Sequence, residues 1–268
     1  MKIAVQMIGY FMPYLKEGKA VELSFAKEAL KNAKEMGYDG VQLSGFGRVT
    51  NEIIDFYRDT CKELGLKIVA THINYLDLTE NLDLVIKAHK EWNCDLCGIG
   101  AMPINYQGSY EKYIEFANII DGIGKSLLKE NIFFMYHMHA FEFMKFNNKF
   151  GLEILMENTS IKNVKLLIDT YWAQYGGVNI LALIDRYSDR INTIHLKDMK
   201  IISTGEKFFD LGKQVICPLG EGNIDFKPIV EKIKKLKIDW IIIEQDYSLD
   251  NDINGDYKKS LDFLKKIV

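Results

Sequence analysis

The 268-residue sequence predicts an α/β protein, a (β/α)8 TIM barrel that forms a single domain over residues 1–268. Short apolar runs alternate eight times with longer amphipathic stretches, which is the pattern of a strand followed by a helix. The runs, such as WIII (240–243), are almost continuously apolar, as expected for parallel strands that helices cover on both faces. Eight such units in about 250 residues are typical of a closed barrel. The alternative, an open doubly wound sheet, is disfavoured because no G-x-G-x-x-G or Walker A motif occurs.

The predicted strands occupy the apolar runs in chain order. Most of them are followed within a few residues by the start of an amphipathic segment, so each strand and the next helix form one unit. The eight predicted strands are Ile3–Met7, Gly40–Leu43, Lys67–His72, Asp95–Ile99, Ile132–His139, Val164–Asp169, Ile191–Leu196 and Asp239–Glu244.

The predicted helices are the amphipathic segments between these strands. In the first, Leu23, Ala26 and Leu30 share one face, and Gly37 follows as a stop signal. His89 lies in the middle of the third helix and is expected at the surface. The predicted helices are Val21–Met36, Asn51–Leu64, Glu80–Trp92, Tyr110–Lys129, Phe150–Glu157, Ile180–Tyr187, Phe226–Leu236 and Tyr257–Ile267.

Composition excludes several classes of partner. A net charge of −3 gives no general attraction to phosphate backbones or anionic lipid, so neither nucleic acid nor a membrane is expected as a partner. No apolar run of about 18 residues and no signal peptide occur, which predicts a cytoplasmic protein. Four cysteines in a chain this long do not suggest a disulfide framework, and Cys94 and Cys97 are predicted to be free thiols.

Residues that could carry chemistry recur where the last four predicted strands end. Strand six ends at Asp169, strand seven at His195 and strand eight at Glu244, while strand five runs into YHMHAFEF (136–143). The carboxyl ends of strands in a closed barrel converge, so these groups should meet. Carboxylates gathered in an apolar interior repel one another unless a cation binds, and mixed oxygen and nitrogen ligation suits Mn²⁺, Mg²⁺, Co²⁺ or Zn²⁺. The predicted cofactor is therefore a divalent metal ion, with Mn²⁺ favoured.

The fifth strand leaves the identity of its metal ligand open. His137 and His139 have the same parity, so both side chains point to one face of the sheet. Glu142 lies beyond the regular strand, where parity no longer constrains its direction. The residues alone therefore allow either Glu142 or one of the two histidines to bind the metal from this strand.

Five stretches in the second half of the chain carry a resemblance to a known family. They are YHMHAFEF (136–143), LLIDTYWAQYGG (166–177), IHLKD (194–198), PLGEGNID (218–225) and IIIEQD (241–246). Through them the chain resembles the xylose isomerase-like TIM-barrel superfamily, specifically its sugar phosphate isomerase/epimerase group. The first half is similar only through VQMIGY (5–10), GVQLSG (40–45) and ATH (70–72).

The resemblance implies a metal-dependent isomerase or epimerase that acts on a sugar, ketose or keto-sugar derivative through an enediolate. It implies that Glu142 and Glu244 transfer the proton, with His139 or His137 as the substitute on the strand-five side. The metal ligands that it implies are Glu142, Asp169, His195 and Glu244.

Other residues near the strand ends are candidates for binding the substrate. Lys197 could bind a substrate oxygen or pair with Asp198. Glu221 lies in the segment Ile201–Gly222, which we expect to form an active-site loop, and could contact the substrate or hold Lys197. The aromatic ring of Trp172, beside Tyr171, could form an apolar wall for the sugar. The full set of candidates is His72, His137, Trp172, Lys197 and Glu221.

Three other functions are compatible with these features. A lyase or hydratase of the same fold, acting on an inosose or a 3-keto-glycoside, would use the same metal but expel a β-hydroxyl. An apurinic endonuclease is disfavoured because the chain has only five histidines and a net negative charge. A non-catalytic sugar-binding protein would not need a metal together with acid–base groups. The expected partner is a small-molecule sugar, and a homo-oligomer is possible.

Overall fold

A computed structural model describes residues 1–268 and shows a closed barrel of eight parallel strands. Neighbouring barrel strands follow one another in chain order, and the last strand closes the barrel by pairing with the first, with Ile3 opposite Ile241. The predicted fold class is therefore confirmed. The strands are β1 (Lys2–Gln6), β2 (Gly40–Leu43), β3 (Lys67–His72), β4 (Leu96–Ile99), β5 (Phe133–His137), β6 (Val164–Asp169), β7 (Ile194–Leu196) and β8 (Trp240–Ile243).

Eleven α-helices surround the barrel, and their ends carry ordinary stop and start signals. The side chain of Thr50 accepts a hydrogen bond from the backbone N–H of Ile53 where α3 begins. Gly37 ends α2 with a φ of 94°, a left-handed conformation that favours glycine. No helix combines the length and the apolar character needed to cross a membrane. The helices are α1 (Ile8–Lys16), α2 (Leu23–Met36), α3 (Asn51–Leu64), α4 (Tyr75–Glu80), α5 (Leu82–Glu91), α6 (Tyr110–Leu128), α7 (Gly151–Glu157), α8 (Thr170–Tyr175), α9 (Ile180–Arg186), α10 (Phe226–Lys235) and α11 (Ile253–Ile267).

The strands place an apolar layer and a polar layer inside the barrel. Side chains alternate between the two faces of a strand, so residues two positions apart face the same way. A small apolar cluster is formed by Ala4, Val69, Ala70, Leu96, Met135, Leu167 and Ile242. Two residues further along β1, β3, β5, β6 and after β8 stand Gln6, His72, His137, Asp169 and Glu244. The inward face of the barrel therefore changes from apolar to polar at the carboxyl ends of its strands.

The larger apolar core lies between the barrel and the helices that surround it. Strand residues of the opposite parity, such as Val5, Tyr136, Ile168 and Ile243, are fully buried in this core. Both faces of each strand are thus covered, which explains why the strands are almost continuously apolar in the sequence.

Some element boundaries differ from the prediction. The expected helix Glu80–Trp92 is divided at Asn81 into α4 and α5. Strand β5 ends at His137, so His139 lies beyond it and the parity argument does not apply to that residue. Helices α1 and α8 were not predicted. Each begins within two residues of the end of the preceding strand, so the helix does not show an amphipathic pattern separate from that of the strand.

The expectation that His89 lies at the surface is wrong. His89 is buried in α5, where its Nε2 is 2.9 Å from Thr71 Oγ1 and its Nδ1 is 2.9 Å from the carbonyl oxygen of Val85. Both ring nitrogens are therefore hydrogen-bonded, which allows a polar ring to be buried. The position of a residue along a helix does not determine which face of the helix carries it.

The segment predicted as a loop contains a two-stranded hairpin. Asp198–Ile202 pairs antiparallel with Lys213–Cys217 at the carboxyl end of β7. The returning strand of the hairpin contacts α8, where Gln214 Oε1 accepts a hydrogen bond from the Tyr171 hydroxyl at 3.1 Å. Its tip extends into solvent and exposes Phe208, Phe209 and Leu211.

The carboxylate of Asp198 fixes the chain that returns from this hairpin. It accepts hydrogen bonds from four backbone N–H groups at 2.8 to 3.2 Å, those of Met199, Gly220, Gly222 and Ile224. Asp198 therefore does not pair with Lys197, one of the two roles considered for that lysine. The carboxylate instead joins the stretch PLGEGNID (218–225) to IHLKD (194–198) in the folded protein.

Replacing Asp198 with alanine should destabilise the protein. Four backbone N–H groups would lose a charged acceptor, and we expect a loss of about 3 kcal/mol in the free energy of unfolding. The matched control Asp250→Ala removes an exposed carboxylate and should change that free energy by less than about 0.5 kcal/mol. Urea unfolding of both variants measures the difference, and equal stabilities would contradict this account of Asp198.

Candidate metal centre

Four side chains from four consecutive strands bring one atom each to a common point. The potential ligand atoms of His137, Asp169, His195 and Glu244 lie within 4.8 Å of one another, and all four residues are buried. His137 Nε2 is 3.6 Å from Asp169 Oδ2 and 4.0 Å from Glu244 Oε2. His195 Nδ1 is 3.9 Å from Asp169 Oδ2 and in contact with Glu244 Oε2. No hydrogen bond satisfies any of these four atoms.

The two imidazoles present lone pairs to this point because their other nitrogens are occupied. His195 Nε2 donates to the side-chain oxygen of Gln42 at 2.6 Å, and His137 Nδ1 donates to the carbonyl oxygen of Gly100 at 3.0 Å. Since an oxygen acceptor needs the hydrogen, the neutral rings carry none on His195 Nδ1 or His137 Nε2. Such a bond to the distal nitrogen is the usual way in which a metal-binding histidine is oriented.

The two carboxylates are arranged in the same way, with one oxygen held and the other free. Asp169 Oδ1 accepts the backbone N–H of Trp172 at 2.9 Å and so caps α8. Glu244 Oε1 accepts a hydrogen bond from Lys197 Nζ at 3.2 Å. Burial opposes ionisation of Glu244, but the Lys197 ammonium outweighs it and holds the pKa of this carboxyl well below its usual value.

The four free atoms fit a divalent metal ion. Ligands about 2.1 Å from a shared ion in a tetrahedral arrangement lie about 3.4 Å apart, close to the separations of 3.6 to 4.0 Å between most of these atoms. Two imidazole nitrogens and two carboxylate oxygens suit Zn²⁺, Mn²⁺ or Co²⁺. Four buried acceptors without a donor would otherwise be costly, so a bound cation explains the arrangement.

The carboxylate of Glu142 does not join this group. It is fully buried beyond β5, where Tyr136 donates its hydroxyl hydrogen to Oε1 and the backbone N–H of His139 donates to Oε2 at 2.8 Å. Burial raises the pKa of Glu142 to about 7. The structure thus places His137, and not Glu142, at the strand-five position of the cluster, and Glu142 instead fixes the turn that carries His139.

Lys197 lies beside the cluster and is fully buried. Its Nζ is 2.6 Å from Asp246 Oδ2, in addition to its bond to Glu244, and 5.1 Å from the ring centroids of both Tyr171 and Trp172. Burial alone would lower the pKa of Lys197, but Asp246 and Glu244 raise it above its ordinary value, so the ammonium stays charged. Lys197 therefore anchors Glu244 and supports the two aromatic rings.

His72 and His139 line the same end of the barrel without joining the four-atom group. The ring centroid of His72 is 5.1 Å from that of His137, and the ring of His139 lies 4.7 Å from His137 on another side. His139 also contacts Trp172, with 4.9 Å between the ring centroids. Burial lowers the pKa of both rings well below its ordinary value, so both are neutral near pH 7.

The structure separates Glu221 from the other candidate site residues. Its carboxylate is exposed and lies 3.4 Å from Lys259 and 3.8 Å from Lys200. The interpretation that Glu221 holds Lys197 is therefore wrong, because Asp246 and Glu244 take that role. The candidates that the barrel does bring together are His72, His137, His139, Asp169, Trp172, His195, Lys197 and Glu244.

The sequence interpretation missed three polar residues of this region, namely Gln6, Gln42 and Asp246. Both glutamines are completely buried, and each makes a hydrogen bond with a histidine of the site. The stretches VQMIGY and GVQLSG contained them, and a polar residue within an apolar strand is itself a signal of a partner inside the barrel. Asp246 was visible in IIIEQD, but its pairing with Lys197 depends on the packing of β7 against β8.

A cavity lies at the other end of the barrel. It has a volume of about 750 Å³, and its walls include Lys67, Cys94 and Trp240, which lie at or near the amino ends of strands. None of the buried side chains with unpaired polar atoms lines it. The candidate functional site is therefore the cluster at the carboxyl ends of the strands, where those unpaired atoms converge and where such barrels carry their chemistry.

Comparison with known families agrees with this architecture. The family profile of the xylose isomerase-like TIM barrel matches residues 30–267. The chain belongs to the xylose isomerase-like TIM barrel family. The match includes every residue of the four-atom cluster.

The proteins to which this chain is similar are named for different reactions, dehydration, isomerisation and epimerisation. An inosose dehydratase of Geobacillus kaustophilus is 27% identical over 247 residues, which cover 81% of this chain and 79% of the relative. A sugar phosphate isomerase/epimerase from Parabacteroides distasonis superposes with a TM-score of 0.76 at 18% identity, over 99% of this chain and 98% of the other. A D-allulose 3-epimerase from Methylomonas sp. superposes with a TM-score of 0.72 at 14% identity, over 100% and 98%. At these identities the two superpositions show the shared fold alone.

Two substitutions distinguish the possible strand-five ligands. His137→Ala removes an atom of the cluster and should weaken metal binding by at least about 10- to 100-fold, while Glu142→Gln should change it little. Isothermal titration of metal-stripped protein with Zn²⁺ or Mn²⁺ measures both affinities, with one ion per chain expected for the wild type. Loss of binding in Glu142→Gln together with retention in His137→Ala would contradict the arrangement described above.

Proposed function

We propose that this chain is a metal-dependent enzyme that removes the proton next to the carbonyl of a polyhydroxylated cyclic ketone and expels a β-hydroxyl as water. The observation that carries the proposal is the convergence of four buried, unpaired ligand atoms beside two neutral imidazoles. The name of the Geobacillus kaustophilus relative, inosose dehydratase, supports a keto-inositol as the substrate class. We expect a small-molecule substrate, an enzyme that acts in the cytoplasm, and Mn²⁺ as the favoured metal.

A divalent ion bound by the cluster would supply a Lewis acid that polarises the carbonyl oxygen of the substrate and lowers the pKa of the adjacent C–H. The protein's part is to orient that oxygen and to move the proton. His139 is the best-placed base, because its ring is neutral, its Nδ1 has no hydrogen-bond partner and it lies 4.7 Å from the His137 ring.

The elimination can then proceed with one acid–base group. His139 takes the proton from the carbon next to the carbonyl, and the electron pair of that C–H bond forms the enediolate. The electrons next expel the hydroxyl from the β-carbon, and His139 returns its proton to this leaving group, so that water is released. The product is the enol of a 1,2-diketone. The ring of Trp172, 4.9 Å from His139, would form the wall against which the carbon ring lies.

The second candidate is an isomerase or epimerase acting on a ketose or keto-sugar. The shared fold with a D-allulose 3-epimerase over the full chain favours it, since the first proton removal is the same. Epimerisation requires a second group on the opposite face of the substrate. The resemblance implied Glu142 and Glu244 as this pair, but Glu142 is held by Tyr136 and the His139 backbone. Dehydration therefore has the stronger support.

Product analysis distinguishes the two reactions. Metal-loaded protein incubated with 2-keto-myo-inositol should form a product lighter by one water, detected by mass spectrometry and by the ultraviolet absorbance of the diketone enol. A ketohexose such as fructose should give no epimer under the same conditions. Chelation of the metal serves as the control and should abolish the reaction. An epimer without any dehydrated product would overturn the dehydratase proposal in favour of the second candidate.

Substitutions of the two possible proton-transfer groups test the mechanism. His139→Gln should lower kcat by roughly 10²- to 10⁴-fold at unchanged metal content, and free imidazole should partly restore the activity of His139→Ala. Glu244→Gln should instead raise the metal concentration needed for activity, because Glu244 supplies a ligand atom. If Glu244 is the base, as the resemblance implies, Glu244→Gln will lose turnover even at saturating metal while His139→Gln remains active. That outcome would exclude His139 as the base.

A further inference from the structure

The imidazole of His72 is held from both sides at the edge of the metal cluster. On one side Gln6 Nε2 lies 3.3 Å from His72 Nδ1. On the other side the ring packs against Gly98 and Gly100, where a Cβ would come within 3.0 Å of His72 Cδ2 and 3.2 Å of His72 Nδ1, respectively. Any side chain at either glycine would press on the ring, so the sequence CGIGA (97–101) leaves the space that His72 occupies.

The orientation of the Gln6 amide determines which nitrogen of His72 carries the hydrogen. The backbone N–H of Ile8 can only donate, and it points to Gln6 Oε1 at 3.3 Å. The other end of the amide, Nε2, must therefore face His72 and donate to Nδ1. A neutral imidazole that accepts at Nδ1 carries its hydrogen on Nε2. This is the opposite of the arrangement at His195, whose Gln42 partner presents an oxygen.

The resulting N–H of His72 has no partner within the protein. His72 Nε2 is buried and makes no hydrogen bond. The ring centroid lies 5.1 Å from that of His137 and 5.6 Å from that of His195, so the unpaired donor is adjacent to the two imidazoles of the metal cluster. A donor cannot bind a cation, and a nitrogen that already carries hydrogen cannot take a proton from carbon. What it can bind is an oxygen acceptor.

We propose that Gln6 fixes His72 as an Nε2–H donor that binds a substrate oxygen next to the one held at the metal cluster, and so selects ketones with a neighbouring oxygen. The oxygen partner rests on the function proposed above, whereas the tautomer does not. His72 touches substrate and Gln6 is a positioning residue. A site with a buried donor discriminates strongly against an analogue that lacks the matching acceptor, because the donor is then left unpaired.

The tautomer can be measured without any substrate. Ring ¹⁵N shifts of histidine-labelled, Zn²⁺-loaded protein distinguish a hydrogen on Nε2 from one on Nδ1, and only five histidines need assignment. We expect His72 to show hydrogen on Nε2 in the wild type. In Gln6→Glu the carboxylate can only accept, so the hydrogen should move to Nδ1. Hydrogen on Nδ1 in the wild type would overturn the proposal whatever the enzyme's substrate is.

Kinetics then test the recognition of the oxygen. His72→Phe keeps a ring but removes the donor and should lower kcat/KM for 2-keto-myo-inositol by about 10- to 100-fold, at unchanged metal content and thermal stability. His72→Gln restores an N–H donor and should recover part of the loss. Gln6→Leu should raise KM more than it lowers kcat. Gln174→Leu, on the exposed face of α8, is the matched control and should behave as the wild type.

A series of keto-inositols that each lack one hydroxyl identifies the partner oxygen. One member of the series should be turned over equally by the wild type and His72→Phe, because the hydroxyl that His72 binds is the one it lacks. An equal loss with every member, or no loss with any, would overturn the recognition by His72. Inactivity of the wild type on both the keto-inositol and the ketohexose would instead refute the proposed function, while the ¹⁵N spectrum would still decide the tautomer.

Discussion

Four acceptor atoms, one each from His137, Asp169, His195 and Glu244, lie close together at the carboxyl ends of β5 to β8 without a hydrogen-bond donor. The contacts of the surrounding residues maintain this arrangement. Carboxylates buried without partners are expensive, typically by several kcal/mol for each ion. None of the four atoms accepts a hydrogen bond from a neighbouring side chain or backbone group. Gln42 and Gly100 take the ring hydrogens of the two histidines, and the N-terminus of α8 and Lys197 hold only one oxygen of each carboxylate. The protein thus tolerates an arrangement that a divalent cation would stabilise.

The charged side chains beside these four atoms also favour a bound cation. Lys197 is the single buried ammonium near three carboxylates, those of Asp169, Glu244 and Asp246. One positive charge cannot neutralise three negative charges, and a divalent ion at the cluster would complete the balance. The ammonium of Lys197 lies next to the aromatic rings and bonds to Glu244 Oε1, which is not one of the four free atoms. It therefore orients Glu244 without occupying the position of the metal.

The fold and three of the four cluster residues could be predicted from the sequence, and the reasons are physical. The alternation of apolar strands and amphipathic helices determines the barrel, and Asp169, His195 and Glu244 stand directly at or after strand ends, where the closed barrel forces convergence. The strand-five residue could not be chosen, because β5 ends at His137 and the turn beyond it directs Glu142 towards Tyr136. Gln6 and Gln42 act across the barrel on residues far away in the sequence, so local periodicity carries no information about their partners. His89 was misplaced for a related reason, since its partner Thr71 belongs to another element.

A crystal structure grown with Mn²⁺ and measured at a wavelength where manganese scatters anomalously tests the central claim most directly. The account predicts one anomalous peak per chain, about 2.0 to 2.4 Å from His137 Nε2, Asp169 Oδ2, His195 Nδ1 and Glu244 Oε2, with Gln42 and Gly100 still bonded to the distal nitrogens. A peak ligated by Glu142 in place of His137, or no peak among these four atoms at saturating Mn²⁺, would contradict it.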